Sequence, residues 1–472
     1  MAASFVAFLL LFVAIGLASV RFAGKSRTDY YLANRSVPPW LAGMSAVATN
    51  NSGYMFIGVI GFTYATGLSS IWLMVGWIVG DFLASLFVHA RLRESTERTQ
   101  EASFASVLAR WNGTAFALWR RVAALIMLAF MGAYAAAQIS AGGKALQGTL
   151  GWDPNLSVTA VAVLILAYSA AGGIRASIWT DAAQSLVMLI AMTILFHVAV
   201  AGLGGPAVAI QRLQDVPGYM ALFPDDLLLP GVGGMLLFVV GWLFAGFSVV
   251  GQPHVMVRFM ALDDPAHLAQ ARAWYYGYFT LFYALATGVG LLSRLYLPQL
   301  EGMDAELALP TMARELLSPA LVGVMLAGIF AATMSTADSL VLSCSAAVTH
   351  DLLPGRLETP LEMKLATAGV TLLALALALS GPQSVFHLVI LSWSALASAF
   401  APLLVVYACG RSVSERVATV AMLLGIGVAI LWRAAGWQDA VYEGLPGILT
   451  GLVVLWAYSR PLAYPAHGKP TG

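Results

Sequence analysis

The stretch Ala331-Ala332-Thr333-Met334-Ser335-Thr336-Ala337-Asp338-Ser339 lies inside a run, from about Val322 to Ala347, that is otherwise apolar enough to cross a membrane. Drawn as a helix, Ala332, Ser335, Thr336 and Ser339 fall at i, i+3, i+4 and i+7. Their oxygens therefore share one face, with Asp338 at its edge. A carboxylate at mid-membrane depth costs about 3 kcal/mol or more and by default marks an ion or substrate path. The competing reading is that Ser and Thr bond back to their own helix and let neighbours approach closely. That reading accounts for the hydroxyls and leaves Asp338 unexplained.

Composition sets the surroundings of this stretch. Of 472 residues, 60% are hydrophobic and 10% charged, against roughly a quarter charged in a soluble domain. The sequence is that of an all-α polytopic membrane protein. Apolar stretches begin near residues 4, 40, 70, 122, 157, 179, 232, 273, 320, 365, 385, 415 and 443, which predicts about 13 transmembrane helices. No hydrophilic linker divides them, so residues 1–472 read as one transmembrane domain. A net charge of +1 argues against a nucleic-acid partner; the partner is the lipid bilayer. The first span, Ser4 to Phe22, has no basic leader or small-residue cleavage site and reads as an uncleaved anchor. With the N-terminus outside, only Lys144, Arg212, Arg294, Arg314 and Arg433 fall on the outer side. The resulting basic bias of about four to one places the C-terminus in the cytoplasm.

Several chemistries find no support. Cys344 and Cys409 sit in apolar spans without metal-ligand spacing, and the seven histidines are scattered with no HExxH pattern. Gly142-Gly143-Lys144 lacks the Ser or Thr of a phosphate loop. The chain therefore does not read as an enzyme or an ATP-driven pump.

The second span, from Trp40 to about Thr66, is interrupted by Ala48-Thr49-Asn50-Asn51-Ser52-Gly53, residue types that disfavour continuous helix. Irregular backbone at membrane depth survives where it is buried or lines a cavity, and secondary transporters use such breaks to bind cargo. A simple packed kink is the alternative. Five spans later, Ala245-Gly246-Phe247-Ser248 before Gly251-Gln252-Pro253 forms a second interrupted stretch. That spacing suggests a five-plus-five inverted repeat. Asp181, after Trp179-Thr180, reads equally as a helix cap. Asp81 is a further intramembrane acid with no partner visible in the sequence.

Asn34-Arg35-Ser36, Ala46 to Gly53, Ala171-Gly172-Gly173 with Trp179-Thr180-Asp181, Gly251-Gln252-Pro253-His254 through Arg258-Phe259-Met260-Ala261, Met334 to Ser339, and Ser392-Trp393-Ser394-Ala395 through Pro402 follow one another along most of the chain. Together these segments resemble the sodium:solute symporter family, its sodium/proline branch in particular. The resemblance implies a LeuT-type fold of two inverted five-helix repeats, residues 40–202 and 232–407, with an extra N-terminal helix at 4–22 and extra C-terminal helices at 415–459. It implies Na+ as the coupling ion. The main sodium site would use the carbonyls of Ala48, Asn51 and Ala332 with the hydroxyls of Ser335 and Thr336, all oxygen donors suited to a hard cation. A second cation would lie among Asp181, Asp338 and Ser339, although serine stands at the Asp338 position in some relatives. For the substrate, Tyr134 matches a contact tyrosine of the branch and Gln138 follows one turn on. The aromatic pair expected on the seventh span is Ala245 and Val249 here, with Trp242 one turn earlier as the substitute ring.

The sequence thus reads as a symporter in the cell (inner, plasma) membrane that imports a small organic solute with sodium. The solute is an amino acid of proline type or a related carboxylate, bound beside Asn50, Ser52, Gly53 and Tyr134. The alternatives are a proton-coupled symporter of the same fold and a solute sensor that does not transport.

Overall fold

A computed structural model describes residues 1–20, 27–169, 174–298, 304–353, 360–380 and 384–461. Arg21, Lys25 and the Ala171-Gly172-Gly173 motif lie outside them. In chain order the main helices are α1 (Ala2–Val20), α2 (Pro39–Gly53), α3 (Val59–Thr66), α4 (Ile71–Thr99), α5 (Ala117–Leu150), α6 (Pro154–Ser169), α7 (Ile174–Gly202), α8 (Gly231–Phe247), α9 (Pro253–Met260), α10 (Leu268–Tyr296), α11 (Pro319–Ala346), α12 (Pro360–Leu379), α13 (Val385–Ala408), α14 (Glu415–Ala434) and α15 (Gly444–Tyr458). Their starts follow from local chemistry. Proline occupies the first turn of α2, α9 and α11, where its missing N–H removes no helical bond. Ser384 and Ser414 cap α13 and α14 by accepting from the His387 and Val417 amides.

Among the described residues, eight stretches are long and apolar enough to cross a membrane, and four shorter apolar helices accompany them. The first stretch, Pro39–Thr99, contains α2, α3 and α4. The chain is a multi-pass helical membrane protein. Leu83, Phe87, Leu125, Leu186, Leu236, Leu431 and Val453 turn outward, as a lipid-facing surface requires. In contrast, 83% and 89% of the most apolar windows of Pro319–Leu352 and Val385–Ala408 are buried, against 39% for Ile174–Gly202. Helices α11 and α13 are therefore interior, and the polar face read from the sequence of α11 has protein on every side.

Contacts divide the interior into two groups. One comprises α2 with α3, α4, α8 with α9, and α10; the other comprises α5, α6, α11 and α12. Helix α7 packs on α2 and α11, one from each group, and α13 packs on both α4 and α5. The principal seam between the groups is α2 against α11.

The second interrupted stretch differs from the sequence expectation. Helix α8 runs unbroken through Ala245 and Gly246, and the chain leaves it only at the turn Ser248–Gly251, with Gln252 extended (φ −99°, ψ 103°) before Pro253. The glycine serves close packing. A Cβ on Gly246 would stand 2.2 Å from the Trp77 carbonyl oxygen, and one on Gly80 of α4 would stand 1.9 Å from that of Leu243. Small residues let the two backbones touch, as in other membrane helix pairs where packing replaces the hydrophobic drive.

Gly80→Ala should therefore lower the melting temperature of the detergent-purified protein, at an overpacking cost of about 1–3 kcal/mol. Gly277→Ala on α10, where a Cβ meets nothing within 4 Å, should leave it unchanged or raise it. Equal behaviour of the two variants would remove the α4–α8 contact as a determinant of stability.

Candidate functional site

The break in the second span falls on one residue. Ser52 has φ 45° and ψ 177°, a conformation costly for a residue with a side chain, and the π-helical turn Tyr54–Gly58 follows before α3. Side chains bond two backbone donors there, the Tyr54 amide also donating to the Asn51 carbonyl. Gln138 Oε1 on α5 accepts from the Gly53 amide at 2.8 Å, and Ser52 Oγ accepts from the Tyr54 amide at 3.1 Å. Gly53 is pressed against α5 and α11; a Cβ would lie 2.9 Å from both Ala141 Cβ and Thr333 Oγ1.

Across the seam, the Thr336 hydroxyl donates to the Thr49 carbonyl at 2.9 Å. That bond sets the polar face of α11 one residue from Ala48 and two from Asn51. Ala48, Asn51, Ala332, Ser335 and Thr336 are all fully buried. Both side-chain polar atoms of Asn51 have no hydrogen-bond partner, and Ser335 Oγ, which lies towards the Asp181 carboxylate, has none of ordinary geometry. Buried polar atoms without partners are rare and call for an explanation such as an ion or ligand.

The residues expected around a second cation separate. Asp181 Oδ2 accepts from Ser45 Oγ at 2.6 Å and from Arg258 Nη2 at 3.2 Å, with Thr49 Oγ1 at 3.5 Å. Arg258 on α9 is buried, and its guanidinium also reaches Ser177 Oγ and Ser339 Oγ and donates to the His254 carbonyl at 2.6 Å. Ser339 thus stands in the Asp181 cluster, together with a guanidinium. Asp338 is not among the hydrogen-bond partners of Asp181; its charge acts on Tyr30 of the short helix Arg27–Leu32. Arg258 was part of the quoted GQPH motif but carried no assigned role, because a one-dimensional pattern does not place α9 against α7.

Some of the substrate candidates belong to a cluster of aromatic side chains that the sequence showed only in part. The Tyr134 ring lies 5.4 Å from His254 and 6.3 Å from Trp393, and Trp393 lies 5.0 Å from Trp77, which is 5.8 Å from Tyr54. Tyr134 Oη, Tyr54 Oη, Gln138 Nε2, Gln252 Oε1, both ring nitrogens of His254 and the indole nitrogens of Trp77 and Trp393 have no hydrogen-bond partner. Asn50 Nδ2 donates to Tyr275 Oη at 2.5 Å, while Asn50 Oδ1 is unpartnered. Ala245 and Val249 are buried on the neighbouring α8 segment. Trp242 packs 6.1 Å from Phe62, which stacks on Phe386 at 4.4 Å. Its ring thus joins the Phe62–Phe386 layer, and Trp393 and His254 face Tyr134 instead, with Trp77 behind Trp393. Their spacing in the sequence, on three different helices, gives no signal of this meeting.

A charged cluster lies near the Phe386 end. Lys144 Nζ bonds Glu306 at 2.5 Å and Asp304 at 2.8 Å, and Glu306 also accepts from the Val385 and Phe386 amides that start α13. Beside it is a cavity of about 330 Å3 lined by Ser140, Lys144, Gln147, Asn155 and Asp304. A narrower cleft lined by Tyr30, Phe104, Met127 and Ser343 reaches Arg258 and Ser339 from the other side.

The model of the sodium:solute symporter family matches residues 30–425. The sodium/proline symporter of Salmonella typhimurium is 29% identical over 92% of this chain and 88% of its own length. The high-affinity proline transporter PutP of Bacillus subtilis is 27% identical over 92% of each chain, and the osmoregulated proline transporter OpuE of the same organism is 28% identical over 93% and 92%. Among solved structures, a Na+-coupled sialic acid symporter in its substrate-bound outward-open state superposes with a TM-score of 0.79 at 18% identity, covering 98% of each chain. A nucleobase-cation-symport-1 family transporter gives 0.58 at 15% identity, over 93% of this chain and 97% of its own. The helical fold is the LeuT-type fold of these neighbours, and with 396 of 472 residues inside the family match, the chain belongs to the sodium:solute symporter family.

Proposed function

We propose that the protein is a sodium-coupled importer of proline or a closely similar amino acid. One sodium ion binds between α2 and α11, held by the carbonyls of Ala48, Asn51 and Ala332 and the hydroxyls of Ser335 and Thr336. The observation that carries this reading is the Thr336 to Thr49 bond at 2.9 Å beside the Ser335 hydroxyl, which makes no hydrogen bond of ordinary geometry. It brings two helices of different groups together around a set of buried carbonyl and hydroxyl oxygens. An ion there ties the groups together, and coupling follows from its unequal affinity for the outward-open and inward-open states.

The solute binds beside Ser52, Tyr134 and Trp393. Aromatic rings suit the hydrocarbon ring of proline, and the unpartnered donors of Gln138, Tyr134 and Trp393 suit its carboxylate. Asn50 Oδ1 is an acceptor for the solute ammonium. That the relatives named above are proline transporters supports the same choice. The membrane is the cell membrane, with thirteen spans, the N-terminus outside and the C-terminus inside. The two five-helix repeats are residues 40–202 and 232–407, flanked by the helices at 4–22 and 415–459. In this orientation the Lys144–Glu306 cluster closes the outer path and the Arg258 network the inner one.

Arg258 supplies the positive charge beside Asp181, so Asp181 and Ser339 require no second sodium. Fluxes of radiolabelled sodium and proline into proteoliposomes should therefore run at one to one; a ratio of two to one would return Asp181, Ser339 and Asp338 to the role of a second site.

Ser335→Ala removes a hydroxyl that makes no hydrogen bond of ordinary geometry. It should leave the melting temperature without sodium unchanged and raise the sodium concentration for half-maximal proline uptake about ten-fold or more, the scale of a hydrogen bond to a charged group. Unchanged sodium dependence would displace the ion from this seam.

Arg258→Gln leaves a buried carboxylate unpaired and should cost about 3–5 kcal/mol of stability, most of which the double variant with Asp181→Asn should restore. Melting temperatures of the two singles and the double variant measure this, and strictly additive losses would show that the two side chains do not act as a pair.

A further inference from the structure

Asp81 takes no part in the sodium or solute sites proposed above. It is fully buried at the crossing of α4 and α8, next to Gly80, and neither carboxyl oxygen has a hydrogen bond of ordinary geometry within the protein. Facing it from α10 are the phenols of Tyr275 and Tyr276. Helix α8 and the turn after it contain no titratable side chain. On α9, His254 turns to Tyr134 and Arg258 to Asp181, and α13 sends Trp393 to Trp77. His267, near the end of α4, is paired with Asp263 at 3.0 Å. Arg272 donates to the Ser85 carbonyl at 2.6 Å, and its charge acts on His89 and Tyr276 rather than on Asp81. No cation among the described residues neutralises Asp81, and an unpaired carboxylate buried in this way costs several kcal/mol. The carboxyl group is therefore neutral, which means that it holds a proton.

We propose that Asp81 is a proton-binding site linked to the broken helix through Tyr275 and Asn50. The link is direct. Asn50 Nδ2 donates to Tyr275 Oη at 2.5 Å, which leaves the phenol hydrogen for Asp81, and Asn50 lies next to Asn51 at the break. When the proton leaves, the carboxylate takes a stronger bond from the Tyr275 hydroxyl, and the phenol draws Asn50 with it. The new negative charge also favours a cation at the neighbouring break. Sodium binding and protonation of Asp81 thus oppose each other, and by linkage each weakens the other by the same factor. Asp81, Ser85 and His89 recur at i, i+4 and i+8 and share one face of α4. His89 is buried, stacks 3.8 Å from Phe259 and has both ring nitrogens unpartnered. That face is the route by which the proton leaves towards Arg93, at the end of α4.

This inference goes beyond the proposed sodium coupling and can fail separately from it. Infrared difference spectra of the purified full-length protein, recorded between about pH 5.5 and about pH 9, should show a buried carboxylic-acid band that is lost on deprotonation in the wild type and missing in Asp81→Asn. An identical band in that variant, or none in the wild type, overturns the proton site. Thermal stabilisation by sodium chloride, with choline chloride as control, supplies the second readout. The wild type should need roughly five-fold or more sodium at the acidic end than at the alkaline end. Asp81→Asn should abolish this dependence. Tyr275→Phe keeps the ring, the carboxyl band and the charge of the deprotonated carboxylate but should weaken the pH dependence, since it removes the hydrogen-bonded link to Asn50. A pH dependence that survives in both variants overturns the coupling. A lost carboxyl band in a protein that sodium does not stabilise at any pH supports the proton site and overturns the sodium reading instead.

Discussion

At Ser52 the backbone leaves the helix inside the protein, and most of what surrounds the site answers that departure. A buried peptide group without a partner is costly where no water can reach it. Gln138 and the Ser52 hydroxyl each satisfy one amide, which anchors the break to α5. On the α11 side, the Thr336 hydroxyl donates to the Thr49 carbonyl. The break is therefore held by side chains from the other helix group, and anything that binds there acts on the contact between the two groups.

Arg258 extends the same logic to the opposite end of the seam. Its guanidinium gathers Asp181, Ser177, Ser339 and Ser45 around one buried positive charge, and Ser45 also donates to Asp181. Such pairs add little net stability relative to an apolar replacement, yet breaking one is expensive. That asymmetry suits a gate. The network holds α2, α7, α9 and α11 together only while all its members are in place, and the movement of any one of them exposes an uncompensated charge to the cleft beside Tyr30.

The glycines of α4 and α8 give the first helix group its rigidity. With backbone against backbone at Gly80 and Gly246, these helices have no room to slide, so the group moves as a unit. Asp81 sits at this least yielding point. Its protonation is therefore transmitted to the break through Tyr275 and Asn50 instead of being absorbed by local rearrangement.

Much of this was legible in the amino-acid sequence. Hydropathy placed the spans because the bilayer imposes a length on every helix, and the polar types from Ala48 to Gly53 and from Ala332 to Ser339 stood out because apolar surroundings make such residues costly. The same rule exposed Asp81, Asp181 and Asp338 as residues needing an explanation. Only the tertiary structure decided which partners they have. Asp181 meets Arg258 across 77 positions of sequence, and Tyr134 meets Trp393 across 259. The charge of Asp338 acts on Tyr30. The glycine at 246 was legible as small but not as a packing contact, since the backbone it touches lies on another helix. Burial cost depends on residue type and can be read along the chain; its compensation depends on which helices pack together, and that is a property of three dimensions.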